Sequence, residues 1–354
     1  MSVLFSPWTV RSVTVRNRVV VSPMCQYSAV DGVPDEWHLV HLGSRAVGGA
    51  GLVLSEATAV EARGRISPGD TGIWNAEQVA AWRPVVEFIK GQGAVAGVQL
   101  AHAGRKASVY SPLVGQDGEL AEADGRWTTV APSAVRFAES YPLPQALAKA
   151  EIDELVATFA QAARNAVEAG FEVVEVHAAH GYLLHQFLSP LSNLRDDEYG
   201  GDLAGRLRFP VAVVEAVRAA VPDGVAVFVR ISASDWVDGG LTVDDAVEIS
   251  RAFAAAGADL IDVSTGGNVA TAKIPVGPGY QVPFADAVRR KADVATGTVG
   301  LITDPRQAEA ILADGSADLV LLGRELLRDP YWPLHAAAAL GAEVTPPTQY
   351  ARAF

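Results

Sequence analysis

His177 and His180 stand three residues apart in the run His177-Ala178-Ala179-His180-Gly181-Tyr182, directly after a short β-branched stretch. Two imidazoles at that spacing can hold a metal, act as an acid/base pair, or donate hydrogen bonds to a substrate oxygen. A metal would need a third ligand, and nothing nearby in the sequence imposes one. Donation to an oxygen is therefore preferred over a metal site, with a structural pair as the third reading. Tyr182 could deliver a phenolic proton to whatever the histidines hold, or simply wall the pocket. Near the end of the chain, Asp318-Leu319-Val320-Leu321-Leu322-Gly323-Arg324 reads as a buried strand turning sharply into a helix. Helix-start amides, a glycine that permits close approach and a guanidinium together suit a phosphate.

These residues share a position: each follows a short apolar run. Such runs occur near Arg18 to Ser22, Gly51 to Ser55, Ala94 to Leu100, Glu172 to His177, Val225 to Ile231, Asp259 to Val263, Thr298 to Ile302 and Asp318 to Leu322. Helical spacing occupies Ala76 to Lys90, Glu151 to Glu168, Leu203 to Ala220, Val243 to Ala256 and Pro305 to Ala313. Gly170, Gly257 and Gly315 sit where helices should stop. Strands that are nearly all apolar and alternate with helices imply a parallel sheet covered on both faces. A closed (β/α)8 TIM barrel is the economical solution. The open doubly wound sheet lacks its glycine fingerprint, since Ser22-Pro23-Met24-Cys25 follows the first strand. In a barrel, Ser22 to Tyr27, Glu56 to Thr58, Gln99, His102, Arg105, Lys106, Arg230 and Ser264 to Gly267 would ring one mouth with the residues above. The stretch from about 103 to 150, rich in Pro, Gly and Ser, should cover that mouth.

Composition narrows the partners. The chain has 354 residues and is 49% hydrophobic, enough for a large core, and we expect one domain over 1–354. A net charge of −13 disfavours nucleic acid and anionic membranes, so any phosphate must be held by local geometry. The single cysteine, Cys25, excludes internal disulfides and Cys-ligated clusters within one subunit. No export signal or apolar span is evident, and a cytoplasmic protein is expected.

Ser22 to Tyr27, Gln99-Leu100-Ala101-His102-Ala103-Gly104-Arg105-Lys106, and His177 through Ser189-Pro190 resemble the old yellow enzyme family of flavin-dependent ene-reductases. Asn193-Leu194-Arg195-Asp196-Asp197-Glu198-Tyr199-Gly200-Gly201 and Gly323-Arg324 extend the resemblance over the chain. Cys25, the paired histidines and the ending Gln349-Tyr350-Ala351-Arg352-Ala353-Phe354 look like the bacterial, thermophilic-like branch. The resemblance implies a barrel holding FMN noncovalently. Ser22, Pro23, Met24, Cys25, Ala57 and Gln99 would contact the ring system, Arg230 its pyrimidine end, and Gly323 with Arg324 the phosphate.

It further implies ping-pong reduction of activated alkenes, with NADPH as donor and hydride passing through flavin N5. His177 and His180 would hold the substrate oxygen, Tyr182 would protonate the α-carbon, and Tyr27 would touch the oxygen end. Cys25 would tune the flavin rather than attack. A barrel-interior ion pair is the alternative expectation for Arg230, and Arg195 with Tyr199 should brace a loop. Arg352, on an arm over about 341–354, would reach a neighbouring subunit of a homodimer or homotetramer. Phe354 stands where relatives often carry Trp. The competing classes are a metal-dependent barrel lyase or hydrolase and a flavin-binding module without turnover.

Overall fold

The computed structural model describes residues 2–353. Eight parallel strands pair in chain order: Val19–Val21, Leu52–Ala59, Val95–Ala101, Val173–Ala178, Ala226–Ser232, Leu260–Ser264, Thr296–Thr298 and Leu319–Leu322. They are numbered here as barrel strands one to eight. Strand eight pairs back to strand one, with Leu321 opposite Val20, so the sheet has no edge. Helices Glu36–Val47, Ala76–Gly91, Lys149–Ala169, Leu203–Ala220, Val243–Ala255, Val282–Ala292 and Pro305–Ala313 return the chain between strands, and Trp332–Leu340 follows the last. The expected (β/α)8 barrel is the architecture found, and the open sheet is excluded.

Local chemistry explains the boundaries. Asn75, Asp202, Thr242 and Asp304 each accept a first-turn backbone N–H, and Asp304 is followed by a proline that has no N–H to satisfy. Gly170, Gly257 and Gly315 adopt φ of +101°, +102° and +70°, the left-handed geometry that ends a helix and re-aims the chain toward the next strand.

Strand alternation sorts side chains into two cores. Outward Val53, Val98, Val176, Val229, Val263 and Val320 pack beneath the helices with Phe159, Phe209 and Phe253. Inward Val20, Leu52, Leu54, Val173, Phe228, Leu260 and Leu321 fill the lower barrel, each worth about 1.5–3 kcal/mol of burial. One or two inward positions further along, the same strands carry Ser22, Gln99, Glu175, His177, Arg230, Asp262 and Ser264, all buried. The barrel thus has an apolar base and a polar upper layer at the carboxyl ends of its strands.

Several elements differ from expectation. An antiparallel hairpin, Trp8–Val10 with Val13–Val15, precedes the barrel and packs against its lower core, where Trp8 meets Phe228 edge to face at 6.3 Å. Strand seven occupies Thr296–Thr298, whereas the sequence pointed to Thr298 to Ile302. Gly297 belongs to the strand because its missing side chain makes room for Leu321, while Gly300 and Leu301 have positive φ and cannot continue it.

The excursion over 103–150 contains two short 3-10 turns and a two-residue parallel pair, Val130–Ala131 with Gln145–Ala146. Arg195 pins it, donating to the carbonyls of Pro132 at 3.1 Å and Leu147 at 2.6 Å while pairing with Asp197, which is the bracing role expected. Past Gly341 an arm runs beside Arg16 and Gly49, and Tyr350 meets Tyr331 at 6.2 Å. Arg352 is exposed on that arm, and Phe354 lies outside the described residues. Among the described residues no helix is long and apolar enough to cross a membrane.

Candidate active site

At the carboxyl ends of strands five to eight lies a cleft of about 170 Å³ lined by Arg230, Ser264, Tyr280, Gln281, Gly323 and Arg324, among others. Gly300 and Leu301, with φ of +128° and +51°, bend the backbone around its rim. A Cβ built on Gly323 would find only the Met24 sulfur, at 3.7 Å, so the glycine faces open space and is not demanded by packing. Among the described residues no carboxylate pairs with Arg324. An uncompensated guanidinium, an open glycine and a helix start, in a chain of net charge −13, form a local anion site.

The floor is built from two buried polar pairs. Gln99 Nε2 donates to Glu175 Oε1 at 2.8 Å, and Arg230 Nε lies 2.9 Å from Asp262 Oδ2. The ion pair anticipated as the alternative for Arg230 is therefore present, and the same residue also lines the cleft. Burial raises both carboxyls, and Asp262 adds to the effect on Glu175, which is pushed up to about 8 while Arg230 opposes it. One guanidinium serves two carboxyls, and one of them keeps a proton at neutral pH.

On the opposite side, the loop after strand one is held from below. Glu56 Oε2 accepts the Gln26 N–H at 2.9 Å, its Oε1 lies 3.2 Å from His38 Nε2, and His38 Nδ1 is 2.8 Å from Asp35. Trp37 Nε1 donates to Gln26 Oε1 at 3.0 Å. This scaffolding fixes Met24, Cys25 and Tyr27, the last with φ of +53°. Burial, with Asp70 and Glu56 nearby, pushes the Cys25 thiol well up, so it stays protonated. Burial likewise raises the Tyr27 phenol. Ala57 sits opposite Gln99 after an irregularity in strand two that turns it toward the mouth.

Near the carboxyl end of strand four, His177 packs against both His180 and Tyr182. Ring centroids are 5.2 Å apart for His177 and His180 and 5.0 Å for His177 and Tyr182. Burial and the positive charges of Arg230 and Lys106 hold both histidines well below the usual imidazole range, so both are neutral. His177 Nδ1 accepts the Ala179 N–H at 3.3 Å, which assigns its proton to Nε2. His180 Nε2 is 2.7 Å from Ser264 Oγ, whose proton goes to Gln281 Oε1 at 3.2 Å, so the imidazole is the donor there as well. Gln281 Nε2 is fixed on the Val299 carbonyl at 3.0 Å. Burial pushes the Tyr182 phenol well up, and it keeps its proton.

Asp235 holds in place the short helix Leu183–Leu188 that follows this group. It accepts from Ser189 Oγ at 2.6 Å and the Leu241 N–H at 2.9 Å, and lies 3.1 Å from His185. Arg352 is the one candidate site residue on the exposed arm rather than lining this mouth. Tyr280, Gln281, Gly300 and Leu301 are not among the residues the sequence singles out. They belong to the loops after strands six and seven, and nothing local distinguishes them before the barrel brings them together.

A buried polar layer beside an anion cleft suits a polar ring system that carries a phosphate on a side chain, and comparison with known proteins decides the family. The NADH:flavin oxidoreductase / NADH oxidase family model, an FMN oxidoreductase family, matches residues 3–343. The chain is 52% identical over 353 residues to an NADPH dehydrogenase of Geobacillus sp. (strain WCH70), covering 99% of this chain and 98% of that one. The chain belongs to the old yellow enzyme family. An NADPH dehydrogenase of Listeria innocua is 50% identical over 356 residues, with both chains fully covered. Among solved structures, morphinone reductase matches with a TM-score of 0.79 and 29% identity, over 98% of this chain and 92% of that one. A 2-naphthoyl-CoA reductase matches with a TM-score of 0.86 and 26% identity, and the present chain spans 52% of its length. As an old yellow enzyme the protein uses FMN. Its residues fit the group: the Gly323 and Arg324 cleft leaves room and charge for a phosphate, and Arg230 and Gln99 offer polar atoms along the floor.

Proposed function

We propose that this old yellow enzyme is an NADPH-dependent reductase of activated alkenes: enones, quinones, maleimides and nitroalkenes. FMN, when bound, supplies the hydride carrier that links NADPH oxidation to alkene reduction in a ping-pong cycle. We assign its ring system to Ser22, Pro23, Met24, Cys25, Ala57, Gln99 and Arg230, and its phosphate to Gly323 and Arg324. The observation that carries the reading is the placement of His177, whose Nδ1 takes the Ala179 N–H at 3.3 Å and so leaves Nε2 to donate, with its ring 5.0 Å from that of Tyr182.

A hydrogen-bond donor on the carbonyl or nitro oxygen draws electron density from the β-carbon, which accepts hydride. His177 supplies that donor directly. His180 joins it by exchanging its Ser264 contact for the substrate oxygen, and Tyr27 closes the same end. Tyr182 then gives its phenolic proton to the α-carbon, so that one hydride and one proton complete the C–H bonds of the product. Cys25, held as a thiol, adjusts the flavin edge as a polarizable neighbour.

A metal-dependent lyase would use the histidines as ligands, but among the described residues no group of three or more His, Cys, Asp or Glu could hold a metal. A flavin-binding module would need the cleft and not the triad of His177, His180 and Tyr182. The direct experiment is optical. The purified protein should be yellow, bleach anaerobically with NADPH and recover its colour with cyclohexenone; a bleached protein that stays colourless overturns the alkene-reductase reading.

We assign Arg352 to a neighbouring subunit's pocket in a homodimer or homotetramer, because it is a cation on an exposed arm that does not line its own cleft. Removing the residues after 348 should weaken enone binding, read as a higher KM, and shift the oligomer equilibrium in analytical ultracentrifugation. Unchanged kinetics and association would reject the assignment. A single free thiol suits a reducing compartment, and we place the protein in the cytoplasm.

A further inference from the structure

Lys106 is a cation inside the active-site wall with no part in the scheme above. It belongs to the 3-10 turn after strand three. Its Nζ donates to the His180 carbonyl at 2.9 Å and the Gly267 carbonyl at 3.1 Å, joining the loops after strands four and six. Those loops already touch backbone to backbone. A Cβ on Gly181 would stand 2.2 Å from the Gly267 oxygen, and one on Gly267 would stand 2.6 Å from the His180 Cα. Between them His180 has φ of +58°, a left-handed conformation that is unfavourable for a non-glycine residue and persists only where neighbours hold it.

The rest of the ammonium's surroundings are aromatic. Nζ lies 4.4 Å from the Phe137 ring centroid and 4.9 Å from that of Tyr182. Among the described residues no carboxylate forms an ion pair with it. The charged and titratable groups around it are Arg105 on its own turn, His177 on strand four, and His180 and Tyr182 on the loop that follows. An ammonium over an aromatic face is attracted to a neutral phenol, and more strongly to the same ring carrying the negative charge of a phenolate.

We propose that Lys106 is a positioning residue for the protonation step: it holds His180 in its left-handed turn and lays a positive charge on Tyr182 that stabilises the phenolate left when the proton departs. This rests on the reading of Tyr182 as proton donor. The balance is simple. The O–H bond of Tyr182 breaks, the α-carbon gains the proton, the ring keeps the electron pair, and water later restores the proton. Burial beside Arg105 lowers Lys106 to about 8. The charge is therefore present below about pH 8 and lost above it.

The test compares the FMN-loaded wild type with Lys106→Met, Lys106→Arg, Tyr182→Phe and the Met/Phe double variant, measuring the NADPH and cyclohexenone half-reactions separately by stopped flow. Lys106→Met should slow the cyclohexenone half-reaction by about ten- to a hundredfold and spare the NADPH half-reaction. Lys106→Arg should recover most of the rate. In the Tyr182→Phe background the methionine should cost no further rate. The wild-type alkene step should fall above about pH 8, and that limb should vanish in Lys106→Met. Hydrogen exchange of the segments 179–183 and 265–269, measured with and without FMN, should quicken in Lys106→Met and reports the staple independently of turnover.

Equal slowing of both half-reactions, or a methionine effect undiminished by Tyr182→Phe, would overturn the proposal. A normal rate in Lys106→Met with a slow Tyr182→Phe removes this inference and leaves Tyr182 as donor. A normal rate in Tyr182→Phe removes the donor reading itself.

Discussion

Arg230→Met should lower the stability of the apoprotein by about 3–5 kcal/mol at pH 8, because it leaves a buried carboxylate with no counter-charge. The residue is 5% exposed, and its partner Asp262 is fully buried. Glu175 belongs to the same polar layer, and one of its oxygens has no hydrogen-bond partner. The sign of the pH dependence follows from the raised carboxyls. Glu175 and Asp262 bind protons more tightly in the folded chain than in the unfolded one. Stability is therefore greatest in acid and declines as pH rises from the ordinary carboxylate range toward about 8, the value for Glu175. Arg230 opposes both shifts, so its loss should steepen that decline, by up to about 1.4 kcal/mol per pH unit for each proton retained.

Urea unfolding of the apoprotein at pH 5.5 and pH 8 should show the variant much closer to wild type in acid. A deficit equal at both values would mean lost packing rather than lost charge. Adding Asp262→Asn should return most of the stability, since the orphaned charge is then gone. The same variant should shed FMN on gel filtration, because the cleft between strands five and eight loses one of the three guanidinium groups that line it, Arg230, Arg324 and Arg328.

The barrel was legible because its strands obey one rule: residues buried on both faces must be nearly all apolar, and helices must intervene. Five helices with regular spacing were placed to within two residues, since their ends carry visible caps such as Asn75, Thr242 and Asp304. Strand seven lies earlier than its sequence pattern suggests, for a physical reason. Gly297 breaks the apolar pattern in sequence yet suits a barrel interior crowded by Leu321, whereas Val299 to Ile302 look like a strand and line a cleft. Two three-residue strands of the hairpin carry too little pattern to read locally. Helices Glu36–Val47 and Val282–Ala292 are also absent from the sequence expectation. The first carries His38, His41 and Gly43 on its buried face, and polar residues there hide the period.

At the site, motifs exposed the residues on tight strand ends, such as His177, Gly323 and Gln99. What they could not expose were partnerships across the barrel. Gln281 fixing the hydroxyl that meets His180, Asp262 on Arg230, and Lys106 between His180 and Gly267 join residues 17 to 161 positions apart. Local spacing carries no trace of them. The histidine pair was legible as two donors, but its division of labour was not: only His177 is free of a side-chain partner, and that asymmetry comes from Ser264 on another strand.

The second large effect is expected at Tyr182. Tyr182→Phe removes one oxygen and leaves the ring, so the contacts with His177 at 5.0 Å and Lys106 at 4.9 Å survive, and the melting temperature should hardly move. General-acid catalysis by a positioned group is typically worth about 10²–10⁴ in rate, and the alkene half-reaction should slow by that order. The NADPH half-reaction transfers hydride without a phenolic proton and should proceed as in the wild type. Slowing should fall on kcat rather than KM, because the histidines and not the phenol hold the substrate oxygen. Tyr27→Phe supplies the control. Its phenol is also protonated and close by, yet it is turned toward Cys25, so its loss should raise KM more than it lowers kcat. If instead Tyr27→Phe abolishes alkene turnover while Tyr182→Phe turns over normally, the proton comes from the strand-one loop, and the roles of the two tyrosines are exchanged.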